Sequence, residues 1–184
     1  MASEYAIPDA GRRERTISWH DPVDAAPLGN GLSGLEIMRG IRDGTLPAPP
    51  MARLIGFRCV TAEPGEIVMR LDYDPSLENT MGMAHGGVAA TMLDTAMGCA
   101  AHTMLPVGSG IVTLDLTITY LRPITAKHTP VVAAGRVINL GRRTIYVGGE
   151  VRGSDDTLVA HAVGNFSIVG SGSRAPATES ATAR

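Results

Sequence analysis

Asn79-Thr-Met-Gly-Met-Ala-His85-Gly86-Gly87-Val-Ala-Ala-Thr-Met-Leu-Asp94-Thr-Ala-Met-Gly-Cys-Ala-Ala-His102 is the run on which the fold turns. Val88, Ala89, Met92, Leu93, Ala96, Met97, Cys99, Ala100 and Met104 cover most of the circumference of a helix predicted over 85–104. A helix apolar on nearly every side must be covered on nearly every side. Its opening pair, Gly86-Gly87, stands where the first helical N–H groups have no intrahelical acceptor and can serve an oxyanion. Asp94 is an isolated carboxylate in apolar surroundings, where burial is expensive and usually has a reason.

The flanks say what covers the helix. Upstream, short strands are expected at Leu54–Val60 and Ile67–Tyr73, joined by the turn 62–66 and closed by Asp74-Pro75-Ser76. Downstream, Ile111–Arg122 alternates: Val112, Leu114, Leu116, Ile118 and Tyr120 on one face, and Thr113, Asp115, Thr117 and Thr119 on the other. Further strands read at Val131–Leu140, Thr144–Arg152 and Leu158–Val169, with turns at 141–143 and 153–156. Connections this short imply antiparallel neighbours. The expected class is α+β, an antiparallel sheet wrapped around one long central helix, plus a short N-terminal helix. That short helix opens at Ser33, three residues before Glu36, and runs to about Asp43 before Leu46-Pro-Ala-Pro-Pro50.

Residues 1–30, polar with Pro8, Pro22 and Pro27, are expected to be a flexible extension, 31–169 the folded domain, and 170–184 a disordered tail. With 184 residues, 44% hydrophobic and 18% charged, the chain suits a single globular domain. A net charge of −2 gives no reason to expect nucleic acid or an anionic membrane as partner. No uninterrupted apolar run reaches the roughly 18–20 residues of a membrane span. The charged N-terminal stretch lacks the apolar core of a secretory signal. Cys59 and Cys99, without a CxxC pair, read as free thiols, so a cytoplasmic location is expected. His20, His85, His102, His128 and His161 show no paired ligand spacing, and no metal is expected.

One face of the long helix differs from the rest. Gly87, Thr91, Asp94, Thr95, Gly98 and His102 recur at spacings of three and four and form a small, polar stripe. It suits either a close backbone contact or a site; Asn79 and the glycine pair favour the site. Gly86 and Asp94 are separated by about 12 Å along the axis at 1.5 Å per residue. Asp94 therefore cannot act on a carbonyl held at its own helix start. Either the two features are unrelated, or two antiparallel copies of the helix lie side by side and each Asp94 serves the other chain's Gly86. The second arrangement is expected, with two equivalent sites in a two-fold dimer.

The pattern Asn-x5-His-Gly-Gly-x6-Asp on a long helix, followed by Thr113-Leu-Asp-Leu-Thr-Ile-Thr-Tyr-Leu-Arg-Pro, resembles the hotdog-fold acyl-CoA thioesterases, the PaaI-like (phenylacetate-pathway) group in particular, over roughly residues 33–169. The resemblance implies that Asp94 is the general base or nucleophile, delivered across a dimer interface, and that the Gly86 N–H polarises the thioester carbonyl. It implies that Asn79 holds the thioester or the attacking water, that His85 orients by hydrogen bonding, and that Thr113 stands near the water. It implies an acyl-CoA substrate, coenzyme A being part of that substrate and no cofactor being needed, and a homodimer able to pair into a homotetramer. Gly87 and Met81 beside the motif, and the paired Arg142 and Arg143 at a turn, are candidate substrate-binding residues, because paired Arg suits phosphate.

A hotdog enoyl-CoA hydratase and a non-catalytic acyl-CoA-binding module are the alternatives; the hydratase would need a second acid/base group, which no residue here obviously supplies. Gly29-Asn-Gly31-Leu-Ser-Gly34 matches a dinucleotide pattern, but no strand precedes it.

Overall fold

Six strands pair antiparallel throughout, with Phe57–Glu63 at one edge of the sheet and Ser109–Tyr120 at the other, in a computed structural model that describes residues 11–170. In chain order the elements are α1 (Pro22–Ala25), α2 (Gly34–Asp43), α3 (Pro50–Ile55), β1 (Phe57–Glu63), β2 (Glu66–Leu71), α4 (Gly86–His102), β3 (Ser109–Tyr120), β4 (Val131–Leu140), β5 (Thr144–Arg152) and β6 (Leu158–Gly170). The sheet wraps α4, as the apolar circumference of that helix requires. The tail expected to be disordered falls at 171–184, outside the described residues apart from Gly170, which ends β6.

The core lies between α4 and the inner face of the sheet. Met92, Leu93, Ala96 and Met97 are fully buried, and so are Ile67, Val131, Ile145, Val147 and Phe166 facing them. Burying a large apolar side chain of this kind is worth about 1.5–3 kcal/mol. Two glycines let the sheet come close. A Cβ on Gly135 would land on the carbonyl of Ala96, and one on Gly149 would stand 2.8 Å from Met97 Cγ. Without side chains there, β4 packs directly on the helix backbone and β5 on the Met97 side chain.

Ser33 caps α2 as expected: its Oγ accepts the Glu36 N–H at 3.4 Å, and Glu36 Oε2 accepts the Ser33 N–H at 2.8 Å. Residues 11–30 lie against the same region. The Arg15 guanidinium donates to Ser76 Oγ at 3.0 Å, and Arg53 Nε donates to the Ser18 carbonyl at 3.2 Å.

Two expectations are corrected. Leu54 and Ile55 belong to α3, not to the first strand, which begins at Phe57. Pro50 takes the first helical position, where its missing N–H costs nothing, and Gly56 ends the helix at φ 97°. The alternation along β3 also breaks. Thr113 pairs with Phe166 and Asp115 with Asn165, so Leu114 is the extra residue of a β-bulge. Beyond it Leu116, Ile118 and Tyr120 face the helix, but before it Ile111 and Thr113 do. Val112 and Leu114 are 52% and 57% exposed.

Candidate active site

His85 is the N-cap of α4. Its backbone is extended, and its Nδ1 accepts the Gly87 N–H at 2.9 Å. A neutral imidazole that accepts at Nδ1 carries its proton on Nε2. The His85 carbonyl accepts the Val88 N–H at 2.9 Å. Among the described residues the Gly86 N–H is left without a hydrogen-bond partner. It stands exposed at the positive end of a helix of 17 residues, where a developing negative charge is stabilised.

Tyr120 closes this end from β3. Its hydroxyl donates to the Gly86 carbonyl at 3.1 Å, and its ring would stand 3.5 Å from a Cβ on Gly86. Asn79 braces the approach from the other side. Its Oδ1 accepts the Met81 N–H at 2.8 Å and tightens the turn 79–83, which leaves the amide nitrogen as the group it can offer a ligand. Together Asn79, His85, Gly86, Tyr120 and Arg122 line a cleft of about 330 Å³.

Asp94 lies two turns further along α4, half-buried, and does not line that cleft. Its Oδ1 accepts the Thr113 hydroxyl at 2.8 Å, while no cation pairs with it among the described residues. The carboxylate is thus oriented by one neutral donor, with its second oxygen left for other work. The bulge in β3 makes this contact possible, by turning Thr113 toward the helix.

The structure gathers Asn79, His85 and Gly86 around one cleft and joins Thr113 to Asp94, but it keeps the two groups apart within one chain. Gly87 gives its N–H to His85. Met81 is 75% exposed and lines no part of the cleft. Arg142 and Arg143 are exposed in the β4–β5 turn, where the Arg143 carbonyl accepts from Ile168, at the end of the sheet away from Gly86. Tyr120 and Arg122 also line this cleft, and periodicity alone assigned them only to a strand. A tyrosine whose hydroxyl needs a partner on a helix-facing position was the available signal.

The remaining reactive side chains have structural surroundings. Burial pushes the Cys99 thiol up to about 12 and the Cys59 thiol up to about 11, so neither is a ready thiolate. Burial also holds His102 below the usual imidazole range, and its Nε2 lies 3.2 Å from the Ser109 carbonyl. Among the described residues no group of three or more His, Cys, Asp or Glu is placed to hold a metal ion, and no helix is long and apolar enough to cross a membrane.

Residues 81–160, which run from the turn before α4 into β6, match the family model described as "Thioesterase superfamily". A Halobacterium salinarum protein, VNG_1336C, which carries a provisional esterase name, is 31% identical over 122 residues, covering 62% of this chain and 81% of the relative. The acyl-coenzyme A thioesterase THEM4 of Xenopus laevis is 31% identical over 85 residues, 46% of this chain and 36% of that protein. The PaaI protein from the phenylacetic acid degradation operon of Escherichia coli superposes with a TM-score of 0.66, at 21% identity, over 76% of this chain and 96% of that one. That last likeness is one of fold.

Proposed function

The chain belongs to the thioesterase superfamily and has its hotdog fold, and from that premise we propose that it hydrolyses an acyl-coenzyme A thioester to the free acid and coenzyme A in a site shared by two chains. The observation that carries the reading is the unpartnered Gly86 N–H at the mouth of a cleft, two helical turns from a carboxylate oriented by a hydroxyl. The THEM4 relatives, named as acyl-coenzyme A thioesterases, support the substrate class.

The thioester carbonyl oxygen rests on the Gly86 N–H of one chain. Asp94 of the other chain, held by its own Thr113, acts as general base or nucleophile. In the base route it takes a proton from water as the water oxygen bonds to the carbonyl carbon. The tetrahedral oxyanion is stabilised by Gly86 and the helix start. Collapse breaks the C–S bond, the thiolate leaves and takes up a proton, and the carboxylic acid remains. A thiol of pKa near 8.5 leaves without a strong acid. Asn79 and the Nε2–H of His85 supply further donors around the carbonyl and the water. Arg142 and Arg143 are candidate contacts for the phosphates of coenzyme A.

β3 supports the second chain. It is an edge strand of 12 residues, paired only with β6, and it presents exposed Val112 and Leu114. An edge this long, left open, is a template for another strand. β3 also runs beside the small, polar stripe of α4: Tyr120 meets Gly86, Thr113 meets Asp94, and Ile111 lies over Gly98. A second copy joined antiparallel through β3, with Thr113 of one chain opposite Tyr120 of the other, brings each Asp94 toward the other chain's Gly86. A pair of such dimers is compatible with this seam. Two free thiols, Cys59 buried and Cys99 half-buried, fit a reducing, cytoplasmic setting.

The test is thiol release from phenylacetyl-, benzoyl-, hexanoyl- and lauroyl-coenzyme A. Turnover on any of these, abolished in Asp94→Asn, is the expected result. Turnover unchanged in Asp94→Asn would remove Asp94 from the mechanism.

A further inference from the structure

No carboxylate lines the cleft in which Gly86 stands, but one arginine does, Arg122. Elsewhere in the fold arginines are neutralised: Arg39, Arg58, Arg70, Arg136 and Arg152 each lie 2.6–3.0 Å from a carboxylate oxygen. Arg122 has no carboxylate in reach among the described residues. Its Nη1 donates to the Leu158 carbonyl at 3.0 Å, and its backbone N–H to the Val159 carbonyl at 3.1 Å. The guanidinium is thus anchored at one nitrogen, exposed at the rim of the cleft, and keeps further N–H groups for a ligand. A planar fork of this kind matches the oxygens of a phosphate.

Arg142 and Arg143 are in the same condition, exposed in the β4–β5 turn with no carboxylate in reach among the described residues. Within one chain they lie at the end of the sheet away from Gly86. The seam through β3 changes that. With Thr113 of one chain opposite Tyr120 of the other, each step toward Arg122 in one is a step toward Ile111 in the other. Ile111 pairs with Ile168, whose N–H donates to the Arg143 carbonyl at 2.9 Å. Arg143 of the second copy then stands two strand spacings from Arg122, roughly 10 Å at about 4.8 Å each. Three arginines without acids gather beside one cleft.

We propose that Arg122 of the chain supplying Gly86, with Arg142 and Arg143 of the chain supplying Asp94, forms one binding site for the phosphates of coenzyme A. The inference rests on the thioesterase reading and its β3 seam. The thioester sulfur lies at Gly86 and the phosphates a pantetheine arm away. Cations at the rim of the cleft and two strands beyond it therefore suit the phosphates.

Binding of coenzyme A to the full chain, measured by calorimetry beside pantetheine, which has no phosphate, tests the site without any turnover. Coenzyme A should bind at least about tenfold more tightly, with the margin shrinking as salt rises. Arg122→Gln and the double variant Arg142→Gln/Arg143→Gln should each weaken coenzyme A by about tenfold or more and leave pantetheine unchanged. The same variants should raise KM, with kcat little altered, for whichever thioester of the panel above turns over fastest. Mixing the two variants under subunit exchange should return about a quarter of the sites to wild-type affinity, because each mixed dimer holds one intact set. Unchanged coenzyme A affinity in either variant, or a mixture that regains none, overturns the shared site. Affinity that depends on these arginines without any thiol release would keep the site and reject hydrolysis. Thiol release with coenzyme A affinity untouched by both variants would do the reverse.

Discussion

Asp94 is positioned by a single hydroxyl at 2.8 Å and has no cationic partner among the described residues. Its replacement by Asn keeps shape and volume but removes the base. Asp94→Asn is expected to lower kcat by about 10²–10⁴ with an unchanged melting temperature. Thr113→Val removes the orienting donor and leaves the carboxylate in place. A hydrogen bond to a charged group is worth about 1.5–3 kcal/mol, so a smaller loss of kcat, about tenfold, is expected, with KM little altered. Gly86→Pro is the sharper tool. Proline is favoured at the first helical position, and the extended backbone of His85 already suits a following proline. The substitution deletes one N–H with little else changed, and about 10²–10³ in kcat should go with it. Asp94 and Gly86 stood out in the sequence as candidates because a carboxylate among apolar residues and a glycine pair at a helix start are local signals, while His85 came only through the resemblance. The Thr113–Asp94 contact was not legible from periodicity. Strict alternation puts Thr113 on the same face as Asp115, and only the bulge at Leu114, set by pairing with a strand some 50 residues on, turns it inward.

At the scale of elements, the apolar circumference of α4 announced a wrapped helix, and the turn residues announced antiparallel strands. What local signals missed was the closeness of the wrapping. Gly135 sits within a regular strand, and nothing beside it in sequence shows that the backbone of α4 lies where its Cβ would be. Gly135→Ala is accordingly expected to destabilise the fold by about 1–3 kcal/mol, the usual cost of overpacking, measured as a lower denaturant midpoint at constant slope. α3 was hidden for a different reason. Leu54-Ile55 has strand-like composition, and its helical state depends on Pro50 at the start and Gly56 at φ 97° at the end. A short segment with β-prone residues is decided by its ends.

At the scale of the molecule, the separation of Gly86 from Asp94 is the governing fact. About 12 Å of rigid helix divides the Gly86 N–H from the Asp94 carboxylate, so under the proposed mechanism a chain on its own carries both halves of a site and no complete one. The open edge of β3, the small residues along α4 and the superfamily membership all favour completion by a second copy. Activity per chain should therefore fall on dilution in step with the loss of the dimer seen by sedimentation. The most direct test mixes two inactive variants, Asp94→Asn and Gly86→Pro, under conditions that exchange subunits. A shared site gives each mixed dimer one intact pair, Gly86 from one chain and Asp94 from the other. Random exchange should then restore about a quarter of the wild-type activity. If the mixture stays as inactive as its components although mixed dimers form, each site is built within one chain and the shared-site account is wrong.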